Sequence, residues 1–333
     1  MRTQSVVFAV GILIAASAAA SEADLSRDIL QKDGWTAYDV PLLASAGAPC
    51  CYAKDKRRQC VLDGKNWIIG TDDSDPHTKT DRTLTVYMHV DHGAIDKVRG
   101  FGSSCVVEDA NRARRIEHVA PADSIALLAQ LAQDPSKHQT FDESLATLSM
   151  HDDPNTVPTL SRLADASHPH KVREQALFWL GQNGGVEGAR VVERVATTDA
   201  DDKLREEAVF DLSETKALDG YDIIRRIAQT DHAPHVRSQA LFWMAQMNDK
   251  RAKADIFAAI EHDESDEVRE QGVFALSQLK DQQADTALIE VVRGNYPRKA
   301  KEQALFWLGQ SGSDAAMKFL DDVLTHQAAT AQP

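Results

Sequence analysis

The stretch VREQALFWLGQ at 172–182 returns as LREEAVFDLSE at 204–214, VRSQALFWMAQ at 236–246, VREQGVFALSQ at 268–278 and AKEQALFWLGQ at 300–310. Each copy begins 32 residues after the one before. A unit of this length cannot bury its apolar side alone. A fixed period of this size therefore marks units that stack and share a continuous core.

The residues ahead of each copy repeat with it. One apolar position recurs at Leu128, Leu160, Val192, Ile224, Ile256, Leu288 and Leu320. Three residues on, the series reads Leu131, Leu163, Val195, Ile227, Ala259, Val291 and Val323. That spacing lines one face of a helix. Between this first helix and the repeated phrase, a turn position reads Ser167, Asp199, Asp231, Asp263 and Asn295. All five are residue types that satisfy free amides at turns and at the start of a second helix. A weaker copy, TFDESLATLSM at 140–150, sits one period before 172. The region is read as six helix pairs, at 122–153, 154–185, 186–217, 218–249, 250–281 and 282–313. A closing helix at 314–326 carries Lys318, Asp321 and Asp322 on its outer face, as a capping element requires, and 327–333 reads as a flexible tail.

With its acidic turn and the amphipathic helix before it, the phrase resembles the HEAT or HEAT-like repeat of the phycobilisome-lyase type, over 122–326. The fold class this implies is mainly α: a right-handed α-α superhelix preceded by a small disulfide-bonded β-rich domain. More narrowly, HVAPADSIALLAQLA, then SLATLSMHDD, then alternating ALFWLGQ and AVFDLSE look like a group of exported bacterial HEAT-repeat proteins with a cysteine-bearing N-terminal region. The resemblance implies a fold and no catalytic residues. HEAT proteins are mostly scaffolds that bind other proteins along a concave surface lined by their second helices. Some HEAT-like proteins are bilin lyases or hydroxylases, but the His-Glu dipeptides that carry metal in the hydroxylases are absent from this chain.

At the other end, Arg2, the apolar run 6–16 and the small-residue stretch ASAAAS describe a signal peptide at 1–20, so the mature chain is expected to be exported, periplasmic or secreted. The apolar run is too short to span a bilayer and no second one follows, so no membrane span is expected after cleavage. The formal charge of −14 becomes −15 without Arg2 and would repel a phosphate backbone, which argues against nucleic acid as a partner. Cys50, Cys51, Cys60 and Cys105 are an even set in an exported chain and read as two disulfides. Cys50 and Cys51 are poorly placed to bridge each other. Either Cys50 pairs with Cys60 and Cys51 with Cys105, or the reverse.

From 21 to 121 the helical period is missing. WTAYDV at 35–40, NWIIG at 66–70 and RTLTVYMHV at 82–90 read as strands, with turns at GTDDSDPH (70–77) and DHG (91–93). This region is read as a small β-rich domain with two disulfides.

At about 100° per residue, Val172, Ala176, Trp179 and Leu180 share the packed side of their helix, and Phe178 points roughly opposite. A phenylalanine on the polar stripe recurs as Phe178, Phe210, Phe242, Phe274 and Phe306, accompanied by Gln175, Gln239, Gln271 and Gln303, with Glu207 in the remaining unit. These residues form the candidate binding ladder, apolar contact for affinity and amides for orientation. The structural alternative is that each ring leans on the next repeat. Position 179 alternates as Trp179, Asp211, Trp243, Ala275 and Trp307, which reads as a core solution interdigitating large and small residues. Arg173, Arg205, Arg237, Arg269 and Lys301 form a third ladder, expected to pair with turn acids of adjacent units.

Catalytic constellations are scarce. His89, Asp91 and His92 are the only motivation for an enzyme. The pairs His168 with His170 and His232 with His235, like His151 with Asp152 and Asp153, read as turn residues. No catalytic residue, metal site or cofactor is assigned. The function expected is an exported scaffold that binds a protein or peptide partner of the cell envelope. The alternative is an envelope hydrolase or lyase with a site between the N-terminal domain and the first repeats.

Overall fold

The computed structural model describes residues 22–53, 56–64, 68–70, 80–280 and 283–330. The expected signal segment, Asn66 and Trp67 of the second expected strand, and most of the turn at 70–77 lie outside the described residues.

The chain enters through α1 (Glu22–Ile29) and strands β1 (Gly34–Pro41), β2 (Cys50–Ala53), β3 (Lys56–Arg58), β4 (Cys60–Val61), β5 (Ile68–Gly70), β6 (Thr83–Asp91), β7 (Ala94–Gly102), β8 (Val107–Glu108) and β9 (Arg114–Arg115). The main sheet has the order β7-β6-β1-β9, with β1 antiparallel to β6 and parallel to β9. Strand β7 is absent from the sequence reading. Its charged first half, AIDKVR, hides the buried run at Val98–Gly102. It follows β6 through a tight turn in which His92 and Gly93 both have positive φ (51° and 74°), the two-residue geometry whose twist suits a hairpin.

Trp35, Thr36, Ala37 and Tyr38 are buried consecutively rather than alternately, because both faces of the sheet are covered. On one face Tyr38, Val86, Met88 and Val98 join Ile125 and Leu128 in the same core that runs through the helices. On the other, Trp35, Ala37, Tyr87 and Phe101 pack with Cys51, Cys60 and Leu62. The disulfides staple this second face as Cys50–Cys105 and Cys51–Cys60. The first closes the longer loop and so removes more freedom from the unfolded chain.

The sheet is tied to the helices by a buried polar chain. His151 is 1% exposed, its Nδ1 lies 2.9 Å from the Thr147 carbonyl and its Nε2 2.9 Å from Ser124 Oγ, which lies 2.9 Å from the Tyr38 hydroxyl. The Thr147 carbonyl only accepts, so Nδ1 carries the proton, Ser124 donates to Nε2 and Tyr38 donates to Ser124. The turn role expected for His151 is thereby corrected: it is a core residue joining strand β1 to the first helix pair.

The helices run as α2 (Pro121–Leu131), α3 (His138–Ser149), α4 (Thr156–Leu163), α5 (His170–Asn183), α6 (Gly185–Thr198), α7 (Asp202–Glu214), α8 (Gly220–Thr230), α9 (Pro234–Gln246), α10 (Ala252–His262), α11 (Asp266–Ser277), α12 (Gln283–Arg293), α13 (Arg298–Ser311) and α14 (Asp314–Thr330). This is the helical repeat solenoid expected, following a small β-rich region with two disulfides. Helix α14 runs on through part of the expected flexible tail, because 327–330 (QAAT) contains neither Gly nor Pro to stop it. Within the units, Leu128, Leu160, Val192, Ile224, Ile256 and Leu288 are all buried, as are Ala176, Ala208, Ala240 and Ala304 across from them. No helix among the described residues is long and apolar enough to cross a membrane.

Successive units are joined by the arginine ladder. Arg205 donates from Nε and Nη2 to the two carboxylate oxygens of Asp231 at 2.8 and 2.9 Å, and from Nη1 to the Asp199 carbonyl at 2.8 Å. Arg237 repeats this on Asp263 and the Asp231 carbonyl, and Arg173 pairs with Asp199. Each acid also accepts from the backbone amide two residues on, at Asp201, Ala233 and Ser265. That amide lies in the turn rather than in the second helix, so the expected capping of the second helix falls instead, for α7, to Asp201. Where Asn295 replaces the acid, Arg269 turns back to Asp266 in its own unit.

Three outcomes follow for stability. The Arg205–Asp231 side chains are only 1% and 5% exposed, and removing one partner strands the other charge. Arg205→Ala is therefore expected to lower unfolding free energy by about 3 to 5 kcal/mol in urea titrations. Lys301→Ala, at a ladder position with no carboxylate partner among the described residues, should change it by less than about 0.5 kcal/mol. Burial holds His151 down to about 4, so the unfolded chain takes up its proton first as pH falls. Stability from this residue is intact above pH 6.5 and is lost on descending towards pH 4, by about 3 kcal/mol, and His151→Gln should flatten that acid limb.

Candidate functional site

The second helices α5, α7, α9, α11 and α13 present the repeated phenylalanines. In α5 the buried residues are Val172, Arg173, Ala176, Leu177, Leu180 and Gly181. Their mean direction is rotated toward Leu177, away from the one expected. Phe178 then lies nearly opposite the core, and Trp179 sits about a quarter-turn away on the flank.

Facing outward does not leave the rings bare. Phe178, Phe210, Phe242 and Phe274 are half-buried, and Phe306 is exposed. Their cover comes from one another and from the tryptophans. Phe210 meets Trp243 at 4.8 Å between ring centroids, Trp243 meets Phe242 at 5.0 Å, and Phe242 stacks on Phe274 at 5.9 Å with planes 4° apart. Phe274 then meets Trp307 at 5.0 Å, and Trp307 meets Phe306 at 5.1 Å. Six rings thus form a continuous strip across four units, while Phe178 and Trp179 make a separate pair, 5.0 Å apart, nearer the N-terminal sheet. The core role expected for the tryptophans holds in part: all three pack against the main core, but none is fully buried. Trp179, Trp243 and Trp307 are half-buried members of the surface strip, and only the smaller residues at the same position, Asp211 and Ala275, are buried. A ring on the flank of its helix reaches back over the preceding unit and covers whatever lies there.

The glutamines flank this strip. Gln175, Gln239 and Gln303 are half-buried and Gln271 is exposed. Gln303 donates to Glu270 at 3.4 Å, and its carbonyl oxygen is buried without a partner among the described residues.

Two pockets open on this face. The first, about 530 Å³, lies where Ala146 of the weak first copy stands in place of a phenylalanine. It is bounded by Ala46, Pro49 and Gly100 of the N-terminal region and by Glu143, Gln175, Phe178 and Trp179. Burial raises the Glu143 carboxyl above its usual range. The second pocket, about 430 Å³, lies between α5, α7 and α9, where Asp211 occupies the tryptophan position. Its walls are Phe178, Phe210 and Trp243, and Glu174, Glu206 and Glu207 stand around it with Gln175 and Gln239. Burial first, and then the charges of Glu174 and Glu207, push Asp211 up to about 8.

His170 opens α5 beside this pocket and bridges two units. Its Nδ1 lies 2.8 Å from Asp201 and its Nε2 2.9 Å from Glu207. Partial burial opposes protonation, but these two carboxylates outweigh it and raise the imidazole pKa. His170, Glu174 and Glu207 are close enough to hold a metal ion. Both ring nitrogens already face carboxylates, so an ion held there would have to displace these hydrogen bonds. His170, expected as a turn residue, is instead a bridge between units. The other histidine motif does not assemble: His89 pairs with Asp96 at 2.6 Å and meets Trp35 with the ring planes tilted, while His92 sits at the hairpin turn beside Asp91.

The Phe and Gln ladders could be found by period. Asp211, Glu174 and Glu206 could not be assembled from sequence, although the acid at a tryptophan position was a visible signal.

A family model described as HEAT repeats matches residues 221–308. No curated protein matches this chain. Among solved structures, the chain is similar to human deoxyhypusine hydroxylase in complex with glycerol, at 17% identity over 56% of this chain and 73% of that one, with a TM-score of 0.31. It is similar to YibA of Escherichia coli at 17% identity over 61% and 76%, with a TM-score of 0.36. The complex of CpcE and CpcF of phycocyanin lyase from Nostoc gives 16% identity over 61% and 81%, with a TM-score of 0.30. Likeness at this level says nothing about activity.

Asp211 carries its own prediction. Its folded pKa lies far above the unfolded value, so the unfolded chain loses the proton first and stability falls as pH rises from about 4 to about 8. Asp211→Asn should therefore be more stable than the parent at pH 8.5, by about 1 to 3 kcal/mol, with the two converging near pH 4 in thermal or urea unfolding.

Proposed function

Because this chain is a HEAT-like helical repeat protein, we infer that it works as an interaction scaffold whose concave face, lined by the second helices, binds an extended segment of a protein partner. The observation that carries this reading is the strip of rings from Phe210 to Phe306, partly covered by one another and bordered by Gln239, Gln271 and Gln303. Isolated exposed apolar residues need no explanation, but a contiguous aromatic patch with polar rims is the composition of a recognition surface. Large rings offer contact area at small entropic cost, and amides orient a backbone laid across them.

The partner is expected in the cell envelope, with the chain exported to the periplasm or beyond. Two disulfides suit an oxidising compartment, and the first twenty residues have the charge and apolar pattern of a signal peptide. A chain this acidic is not expected to bind nucleic acid. The envelope-enzyme alternative has less support: among the described residues, the pocket between the N-terminal region and the first repeats is lined by Asp142 and Glu143 but by no histidine, cysteine or lysine.

The test is capture from an envelope extract by the mature chain and by the Phe242→Ser, Phe274→Ser double variant. The variant is expected to lose at least tenfold in retained partner while keeping its helical circular dichroism and melting within a few degrees of the parent. Equal capture by both proteins would remove the reading.

A further inference from the structure

Among the described residues, Asp211 is the one buried carboxylate on this face that stands without a counter-charge. It is 4% exposed, lines the 430 Å³ pocket, and receives no hydrogen bond on its carboxylate from any described residue. The turn acids of similar burial show the contrast: Asp231 and Asp263 each hold an arginine and a backbone amide.

What surrounds the carboxylate defines its ligand. Glu174, Glu206 and Glu207 line the same pocket, and the walls are the rings of Phe178, Phe210 and Trp243. Carboxylates exclude an anion, and aromatic faces favour a cation whose hydration shell is loose enough to shed. The remaining charged groups are at the ends of the helices. Lys171 is held by Glu174, Lys203 lies 4.0 Å from Glu207, and His170 is held between Asp201 and Glu207. Helix α9 contributes Gln239 and Trp243 and no charge to the pocket. Among the described residues, no cationic side chain lines the pocket.

We propose that the pocket between α5, α7 and α9 is a subsite for an organic cation, an ammonium or guanidinium group on an aliphatic stem, with Asp211 as its counter-ion and Phe178, Phe210 and Trp243 as its walls. Resting on the groove reading, the cation is a lysine or arginine side chain of the bound segment, its backbone lying toward Gln175 and Gln239. The geometry explains why an acid is tolerated where the neighbouring units carry tryptophan: the charge that is unfavourable in the empty protein is neutralised in the complex. Binding draws a proton off Asp211, so affinity rises with pH through the range where that carboxyl ionises. His170, whose pKa its carboxylate partners raise, stands beside the pocket, which is why the pH series includes its own variant.

The experiment uses calorimetric titration of the full mature chain with N-acetyl-lysine methylamide, N-acetyl-arginine methylamide and 1,5-diaminopentane. The uncharged N-acetyl,Nε-acetyl-lysine methylamide and ZnCl2 serve as controls. Binding of the cationic probes should strengthen severalfold between pH 6 and pH 8.5. It should weaken at least tenfold in Asp211→Asn, and that variant should lose the pH dependence while His170→Gln keeps it. Should Asp211→Asn fail to fold, Glu174→Gln, at the pocket rim, gives a second reading with a severalfold loss. Equal binding of the acetylated probe, equal binding by Asp211→Asn, or binding of zinc without any amine would overturn the proposal. Tighter binding of the lysine or arginine amide than of the diamine supports a segment as the source, and the reverse order overturns that part by assigning the site to a free amine. Phe242 and Phe274 do not line this pocket, so their serine variants should still bind the small cations. A failed capture experiment and a failed cation experiment are thus separable.

Discussion

The inter-unit rung of arginine and aspartate governs this structure. A guanidinium buried beneath two helix turns is costly to desolvate, and it persists because both of its edges are satisfied: two bonds to the acid of the next unit and one to a carbonyl of its own turn. The same acid holds the turn amide two residues on, so the bend of one unit and its seat on the preceding unit are set by one carboxylate. With the rung in place, the side of the second helix that carries Val172, Ala176 and Leu180 must face the stack. The side that carries Phe178 must face away.

That constraint generates the surface. Phenylalanines repeated at every 32nd residue come into register only because the rungs hold successive helices at a common rotation, which lets Phe242 stack on Phe274 with nearly parallel planes. The alternation at the neighbouring position then divides the strip into covered and open intervals. Trp243 and Trp307 each close over the phenylalanine of the unit before, and Asp211 leaves a pocket instead. Apolar strip and acidic subsite are consequences of one stacking geometry with different residues at a single position.

At the N-terminal end the solenoid is joined to the sheet through shared core and through the Tyr38–Ser124–His151 chain. His151 is almost fully buried in that junction, and this burial holds its basicity down. The weak first copy has no arginine rung, since Phe141 replaces the arginine and is buried. The first pair is held by apolar contact and by the sheet, and the place of the missing surface phenylalanine, Ala146, becomes the larger pocket.

The chain's own letters determined the period, the helix pairing of the solenoid, the register of the Phe, Gln and Arg ladders and the cysteine set, because each is a local pattern repeated often enough to outweigh chance. Strand β7 escaped notice because half of it is charged, and WTAY at 35–38 reads as one-sided although both sides are buried. Only the tertiary structure decided how far the phenylalanines see solvent, that the tryptophans are no more than half-buried, which cysteines pair, and that Asp211, Glu174 and Glu207 converge. The physical reason is that exposure and charge environment depend on what the next unit places alongside. A residue's partner 26 to 37 positions away is fixed by the rotation between units, and that angle is not written in any one of them.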